Sequence, residues 1–153
     1  MKKLFLIILA LLWVTQLSAA EAVTSESLVS ILQGAGYEAF VDEEGDASFY
    51  DQYEMLYWAT PGYPEENSIY IQSGWSATEN VTSDEAYKIA NEGNRQMFTI
   101  RCYYEPLTRT FYTDYTLRYP ETGLDEEVFL RAVESFLSEA DTYTDYLIGE
   151  GAL

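Results

Sequence analysis

The stretch "MFTIRCYYEPLTRTFYTDYTLRY", residues 97–119, carries the clearest secondary-structure signal in the chain. Apolar residues occupy alternate positions on both sides of a turn at Pro106–Thr108. This series is Phe98, Ile100, Cys102 and Tyr104 before the turn, and Phe111, Tyr115 and Leu117 with Thr113 among them after it. Alternation of period two around such a turn predicts an antiparallel β-hairpin. One face of this hairpin would pack in a core, and the other would carry polar residues and tyrosines.

Three further strands and three helices are predicted around this hairpin. The strands are expected at Glu38–Asp42, Ala47–Ala59 with a bend near Asp51–Gln52, and Ser68–Ser73. The helices are expected from about residue 25 to residue 34, from the capping box Thr82–Glu85 to Gly93–Asn94, and from Asp125 to about Tyr146. Residues 74–80 are expected to form a loop that carries Trp75.

The predicted order is α-β-β-β-α-β-β-α. Short connections between successive strands favour antiparallel pairing, and amphipathic helices must bury their apolar stripes against a sheet. The sequence therefore predicts an α+β, two-layer domain in which helices cover one face of an antiparallel five-stranded sheet.

The first twenty residues have the pattern of a secretory signal peptide. Lys2 and Lys3 precede the apolar run "LFLIILALLWV", and Ser18–Ala20 supplies small residues for cleavage after Ala20. An uncleaved N-terminal anchor is the alternative. We expect a periplasmic or secreted protein without membrane insertion after cleavage, in which residues 21–153 form one domain with its core at about 25–147.

Charge and the missing residue types restrict the function. The chain has 26 acidic and 8 basic residues, and without Lys2 and Lys3 the balance is six basic against 26 acidic residues, a formal charge of −20. Such a surface repels nucleic acid, which is not expected as a partner, and suits solubility or a basic partner. Cys102 is the single cysteine, so no intrachain disulfide is expected, and histidine is absent.

One acidic segment, "VDEEGDASFYDQYE" at residues 41–54, invites comparison with a calcium loop. Asp42, Glu44 and Asp46 have the required alternate spacing. An EF-hand also requires glycine at its sixth position and glutamate at its twelfth, whereas here Gly45 is fourth and Tyr53 is twelfth. The segment is better interpreted as a hairpin turn, and no metal site is predicted.

Other candidates for chemistry have simpler structural explanations. Cys102 lies on the predicted core side of its strand, where a free thiol behaves as a small hydrophobic group. Asn94, which follows Gly93, is expected to help end a helix. We predict a non-enzymatic protein without catalytic residues or cofactor, and a hydrolase that uses carboxylates alone remains the less favoured alternative.

Four segments together resemble the YbjN-like family, whose fold is similar to that of class I type III secretion chaperones. They are "GYEAFVDEEGDASFY", "AYKIANEGNRQM", "FTIRCYYEPLTRTFYTDYTL" and "GLDEEVFLRAVESFLSEADTY". The resemblance covers about residues 25–147. It implies a sensory-regulator family without established catalytic residues, and binding of an extended polypeptide or homodimerisation. Those chaperones are cytoplasmic, whereas this chain starts with an export-like segment.

The aromatic residues, 16% of the chain, suggest where a partner would bind. If the apolar series of the hairpin faces the helices, the opposite sheet face carries tyrosines and arginines, residue types that are enriched at interfaces. The candidate binding residues are Tyr70, Trp75, Arg101, Tyr103, Tyr112 and Arg118. We expect this face to bind a protein or peptide partner or a second copy of the chain. A half-solvated sheet face with cross-strand pairs is the structural alternative. The alternative function is that of an envelope glycan-binding module, with Trp58 and Trp75 as the stacking residues.

Overall fold

The computed structural model describes residues 22–63 and 65–153. The predicted signal peptide lies outside the described residues. The helices are α1 (Ser25–Gly34), α2 (Ser83–Gln96) and α3 (Glu126–Gly149). The strands are β1 (Glu38–Val41), β2 (Ala47–Tyr50), β3 (Leu56–Pro61), β4 (Ser68–Ser76), β5 (Arg101–Glu105) and β6 (Thr110–Arg118). No helix in the described ranges is long and apolar enough to cross a membrane.

The strands form one antiparallel sheet in the order β1-β2-β3-β4-β6-β5. The α+β prediction is confirmed, but the predicted strand count is wrong because residues 47–59 form two strands. Asp51 Oδ1 accepts the backbone N–H groups of Tyr53 at 2.8 Å and Met55 at 2.9 Å, and Glu54 has a left-handed backbone with φ of 62°. This side-chain-to-backbone turn reverses the chain where the sequence predicted only a bend.

Two other boundaries differ from the prediction. Strand β4 continues to Ser76, so Trp75 lies in a strand opposite Phe111 and not in a loop. Strand β5 begins only at Arg101, and Phe98 is 97% exposed instead of facing the helices. Residues 97–100 share the alternating pattern of the strand, but they precede it and are not part of it.

The three helices pack against one face of the sheet. Helix α1 covers β1–β3, α2 covers β5, and α3 lies against β4 and β6. Edge-to-face aromatic contacts join the layers, with ring centroids 6.1 Å apart for Tyr57 and Phe136 and 6.0 Å apart for Trp75 and Tyr143. Cys102 is buried in this layer, and burial raises the pKa of its thiol to about 12.

The acidic segment 41–54 begins with the β1–β2 hairpin. Asp42 Oδ1 accepts the backbone N–H groups of Glu44 at 3.1 Å and Asp46 at 2.9 Å, and its Oδ2 accepts the Ser48 hydroxyl at 2.6 Å. Gly45 supplies the left-handed conformation of the turn, with φ of 89°. Both carboxylate oxygens of Asp42, which a calcium ion would need as ligands, thus accept hydrogen bonds that stabilise the turn.

Both edge strands are covered by a side-chain amide from the helix that precedes them. Asn94 Oδ1 accepts the Cys102 N–H at 2.8 Å, and Asn94 Nδ2 donates to the Cys102 carbonyl at 2.6 Å. At the other edge, Gln33 Nε2 donates to the Ala39 carbonyl at 2.8 Å. Unpaired edge backbone is a template for adding strands, and these amides occupy part of it. The sequence predicted that Asn94 helps to end α2, but the helix continues to Gln96.

We expect Asn94→Ala to lower the free energy of unfolding by about 1–3 kcal/mol, because it leaves two backbone groups of β5 without their partner. Urea denaturation monitored by circular dichroism measures the change. Asn91→Ala is the matched control, since Asn91 lies exposed on the same helix. Equal losses in the two variants would contradict the proposed role of Asn94.

Candidate functional site

The face of the sheet opposite the helices is the candidate binding surface, and we call it the open face. Its side chains come from alternate positions of all six strands. One row across the sheet is Phe40, Ser48, Trp58, Gln72, Asp114 and Arg101. Beside it, Glu38, Tyr50 and Leu56 come from β1–β3, and Gly74, Tyr112 and Tyr103 come from β4, β6 and β5. These rows make an aromatic band.

An aromatic cluster lies over the glycine of β4. The rings of Tyr103 and Tyr112 stack with centroids 5.3 Å apart, and Trp58 meets Tyr112 edge-to-face at 6.4 Å. A Cβ atom at Gly74 would lie 2.8 Å from Tyr112 Cε1, so the ring occupies the space that a side chain would fill. Covering a strand glycine with a cross-strand aromatic ring is a known way of stabilising a sheet. The cluster is therefore part of the fold as well as part of the surface.

The band continues with apolar residues towards β1. Phe40 and Tyr50 pack with ring centroids 6.0 Å apart, and Leu56 lies opposite Tyr50 on β3. Phe40, Leu56 and Tyr103 are 39%, 41% and 39% exposed. Large apolar side chains held half in solvent on an ordered sheet form a surface suited to binding.

Polar side chains fix the other end of the band. Arg101 Nε and Nη2 donate to the two carboxylate oxygens of Asp114, each at 2.7 Å. Bidentate pairs of this kind hold both side chains in one geometry. The bonds from Asp114 raise the pKa of Arg101, and burial followed by the Asp114 charge raises that of Tyr103. On β3, Trp58 Nε1 donates to Gln72 Oε1 at 3.1 Å.

The structure brings five of the six predicted binding residues to the open face. Tyr103 and Tyr112 belong to the aromatic cluster, and Arg101 is paired with Asp114 beside it. Tyr70 donates a 2.7 Å hydrogen bond to Glu66. Arg118 is exposed at the end of β6. The sixth residue, Trp75, is only 7% exposed because it points towards α3, so it offers no stacking surface and is withdrawn.

Sequence reasoning missed Phe40, Leu56 and Gln72 as members of the same surface. They lie on strands far from the β5–β6 hairpin in sequence, and their neighbours on the face depend on the register of β3 with β4 and of β4 with β6. Local alternation placed each residue on one side of its own strand, but it contained no information about that register.

A carboxylate of α3 holds the segment that leads into Arg101. Glu139 accepts backbone N–H groups from Phe98, Thr99 and Ile100 at 3.0–3.2 Å. Partial burial of Glu139 opposes its ionisation, but these bonds outweigh it and hold its pKa below the ordinary value of 4.5. Within the described ranges, no group of three or more carboxylate or thiol side chains is placed to hold a metal ion.

Comparison with known proteins identifies the family. The chain matches the family model of YbjN, "Putative bacterial sensory transduction regulator", over residues 24–149, and it belongs to this family. The match confirms the resemblance found in the sequence. No curated protein sequence matches the chain significantly.

Three solved structures share the fold at low sequence identity. The crystal structure of YbjN from E. coli has a TM-score of 0.71 and 11% identity, and covers 88% of this chain and 98% of its own. An uncharacterized protein from Methanothermobacter thermautotrophicus has a TM-score of 0.59 and 9% identity, and covers 85% and 100%. A chain of the HopA1–SchA chaperone–effector complex has a TM-score of 0.54 and 8% identity, and covers 77% and 90%. Neither the family nor these structures are described as enzymes.

We expect Glu139 to contribute to stability above about pH 4.5 and to lose this contribution as the pH falls through its lowered folded-state pKa. The sign follows because the folded protein favours the ionised form of a group whose pKa it lowers. Urea denaturation of wild type and Glu139→Gln between pH 6 and pH 3 measures the difference, which should shrink towards pH 3. Glu134→Gln removes a carboxylate from the same helix, and an identical pH profile in this variant would contradict the assignment.

Proposed function

We propose that this chain is a non-enzymatic protein-binding module that holds a polypeptide, or a second copy of itself, on its open face. The observation that carries the proposal is the aromatic band, which crosses all six strands and includes side chains 39–41% exposed. The similarity to a chain of a chaperone–effector complex supports a protein partner, as does the family match.

The edges of the sheet are less suited to binding than its face. A peptide added as a new strand would need the outward backbone groups of β1 or β5. At β5 the Cys102 N–H and carbonyl already bind Asn94, and the Ile100 N–H binds Glu139. At β1 the Ala39 carbonyl binds Gln33. Recognition through side chains of the open face requires no change in these bonds.

The proposal includes export. Residues 1–20 have the basic, apolar and small-residue order of a signal peptide. We expect the protein to accumulate in the periplasm or the medium with Glu21 as its first residue, and N-terminal sequencing of the fractionated protein tests this. Recovery of the uncleaved chain from the membrane fraction would favour an anchor, and recovery from the cytoplasm would reject export.

A second candidate, glycan binding, is favoured by one observation on the same face. Trp58 is half-buried with its ring oriented by Gln72 and Tyr112, and an oriented indole is a stacking surface for a sugar ring. Titrating the tryptophan fluorescence with soluble cell-wall fragments tests this candidate, and a flat response would reject it. With Trp75 in the core, Trp58 is the remaining stacking residue of the two predicted.

We expect Leu56→Glu and Tyr103→Ser each to weaken partner binding by about thirtyfold, since a large anchoring side chain contributes roughly 2 kcal/mol to such interfaces. Pull-down from periplasmic extract with wild-type and variant protein, followed by affinity measurement on the recovered partner, checks the result. Unchanged circular dichroism shows that the fold is retained.

Tyr53→Ser is the matched control for these substitutions. Tyr53 is 67% exposed in the β2–β3 turn and lies near Asp141 and Asp145 of α3, on the helix side of the sheet. It should bind the partner as wild type does. Binding that survives Leu56→Glu but not Tyr53→Ser would place the interface on the helices and reject the open face.

A further inference from the structure

A cleft opens beside the open face where α1 ends and β1 begins. Its volume is about 580 Å³, within the range of ligand-binding clefts. Tyr37 and Tyr50 supply its aromatic walls, and Glu38, Asp51 and Glu54 line it with carboxylates. Glu38 and Tyr50 also belong to the open face, so the cleft continues the surface that carries the proposed function.

The cleft has one sign of charge. None of its lining residues is basic. The C-terminus of α1, capped by Ala35, lies in its wall with no basic residue in the last turn, and the negative end of the helix dipole adds to the negative potential. The surroundings already act on Tyr37, whose pKa is raised by burial and by the carboxylates of Glu134 and Asp51.

The opposite end of the band carries a matched pair of charges. Arg101 on the edge strand β5 is matched by Asp114, and Arg118 is exposed four residues further along β6. Between these two ends, the residues of the band on β3 and β4 are uncharged. The acidic cleft therefore lies at the β1–β2 end of the band, and a matched ion pair lies at its β5–β6 end.

We infer that the partner held on the open face is a polypeptide segment with an apolar centre and a lysine or arginine near one end, whose cationic head enters the cleft formed by Tyr37, Tyr50, Glu38 and Glu54. This inference rests on the proposed function. Carboxylates and tyrosine rings together bind an ammonium or guanidinium group through charge and cation–π attraction. A segment rich in acidic residues would meet repulsion at the same position.

The length of the segment follows from the sheet. Five strand-to-strand spacings of about 4.8 Å separate β1 from β5, so the open face is roughly 24 Å wide. An extended chain advances about 3.3 Å per residue, and roughly seven or eight residues would cross this width. The cationic residue is thus expected within the first or last two positions of a segment of about eight residues.

Selection from a random octapeptide library displayed on phage tests the inference with the exported chain, residues 21–153, as bait. We expect selected peptides to combine an apolar or aromatic centre with lysine or arginine near one end. Glu38→Gln combined with Glu54→Gln should weaken a selected synthetic peptide about three- to tenfold, as expected for two exposed charge contacts. Both residues are exposed. Asp51 is left unchanged because it forms the β2–β3 turn.

Matched controls separate the outcomes. Glu79→Gln combined with Glu121→Gln removes the same charge from two exposed loop positions and should leave the affinity unchanged. Replacing the peptide's cationic residue by glutamine should cost the same factor as the cleft variant, with no further loss when the two changes are combined.

Three results would overturn the inference, and they differ in what else they reject. Peptides that lose binding with Leu56→Glu but show no cationic preference would reject the cationic partner and leave the open face intact. Peptides whose binding survives Leu56→Glu would reject both the inference and the open face. The third result is that the chain selects no peptide and sediments as a dimer, and that Leu56→Glu dissociates this dimer. It would show that the open face binds a second copy of the chain.

Discussion

At each edge of the sheet, a helix binds backbone groups of the outer strand through a single amide side chain. Asn94 binds both backbone groups of Cys102, and Gln33 binds the carbonyl of Ala39. This constraint decides how the rest of the surface can be used. With the helices over one face and amides occupying part of both edges, the open face is the part of the sheet that can meet a partner without breaking these bonds.

The open face is ordered before any partner arrives. Tyr112 is held between Trp58 and Tyr103 and covers Gly74, and Arg101 is held by Asp114. Side chains already fixed in one rotamer lose little entropy on binding, so more of the contact energy remains as affinity. The same contacts also stabilise the sheet. Substitutions at the centre of the band therefore combine effects on binding and folding, whereas Leu56 at its margin separates them.

The sequence predicted those features that depend on neighbours along the chain. The β5–β6 hairpin, the capping box of α2 and the layer arrangement follow from alternation, helical spacing and turn residues. The prediction failed where a contact across the fold decides the outcome. Gly93–Asn94 has the form of a helix end, but Asn94 instead turns its amide to β5. Gly74 has the form of a strand end, but β4 continues through Trp75, because the Tyr112 ring of β6 occupies the space beside the glycine. The rows of the open face depend on non-local register, and local patterns do not encode it.

The position of Cys102 gives the chain a built-in reporter of motion. Its thiol lies beneath α2, and its backbone is bound by Asn94 of the same helix. A reagent that alkylates thiols can reach it when α2 separates from β5, and a raised pKa keeps the thiolate scarce. The rate of alkylation thus measures how often one edge of the sheet opens while the remainder stays folded.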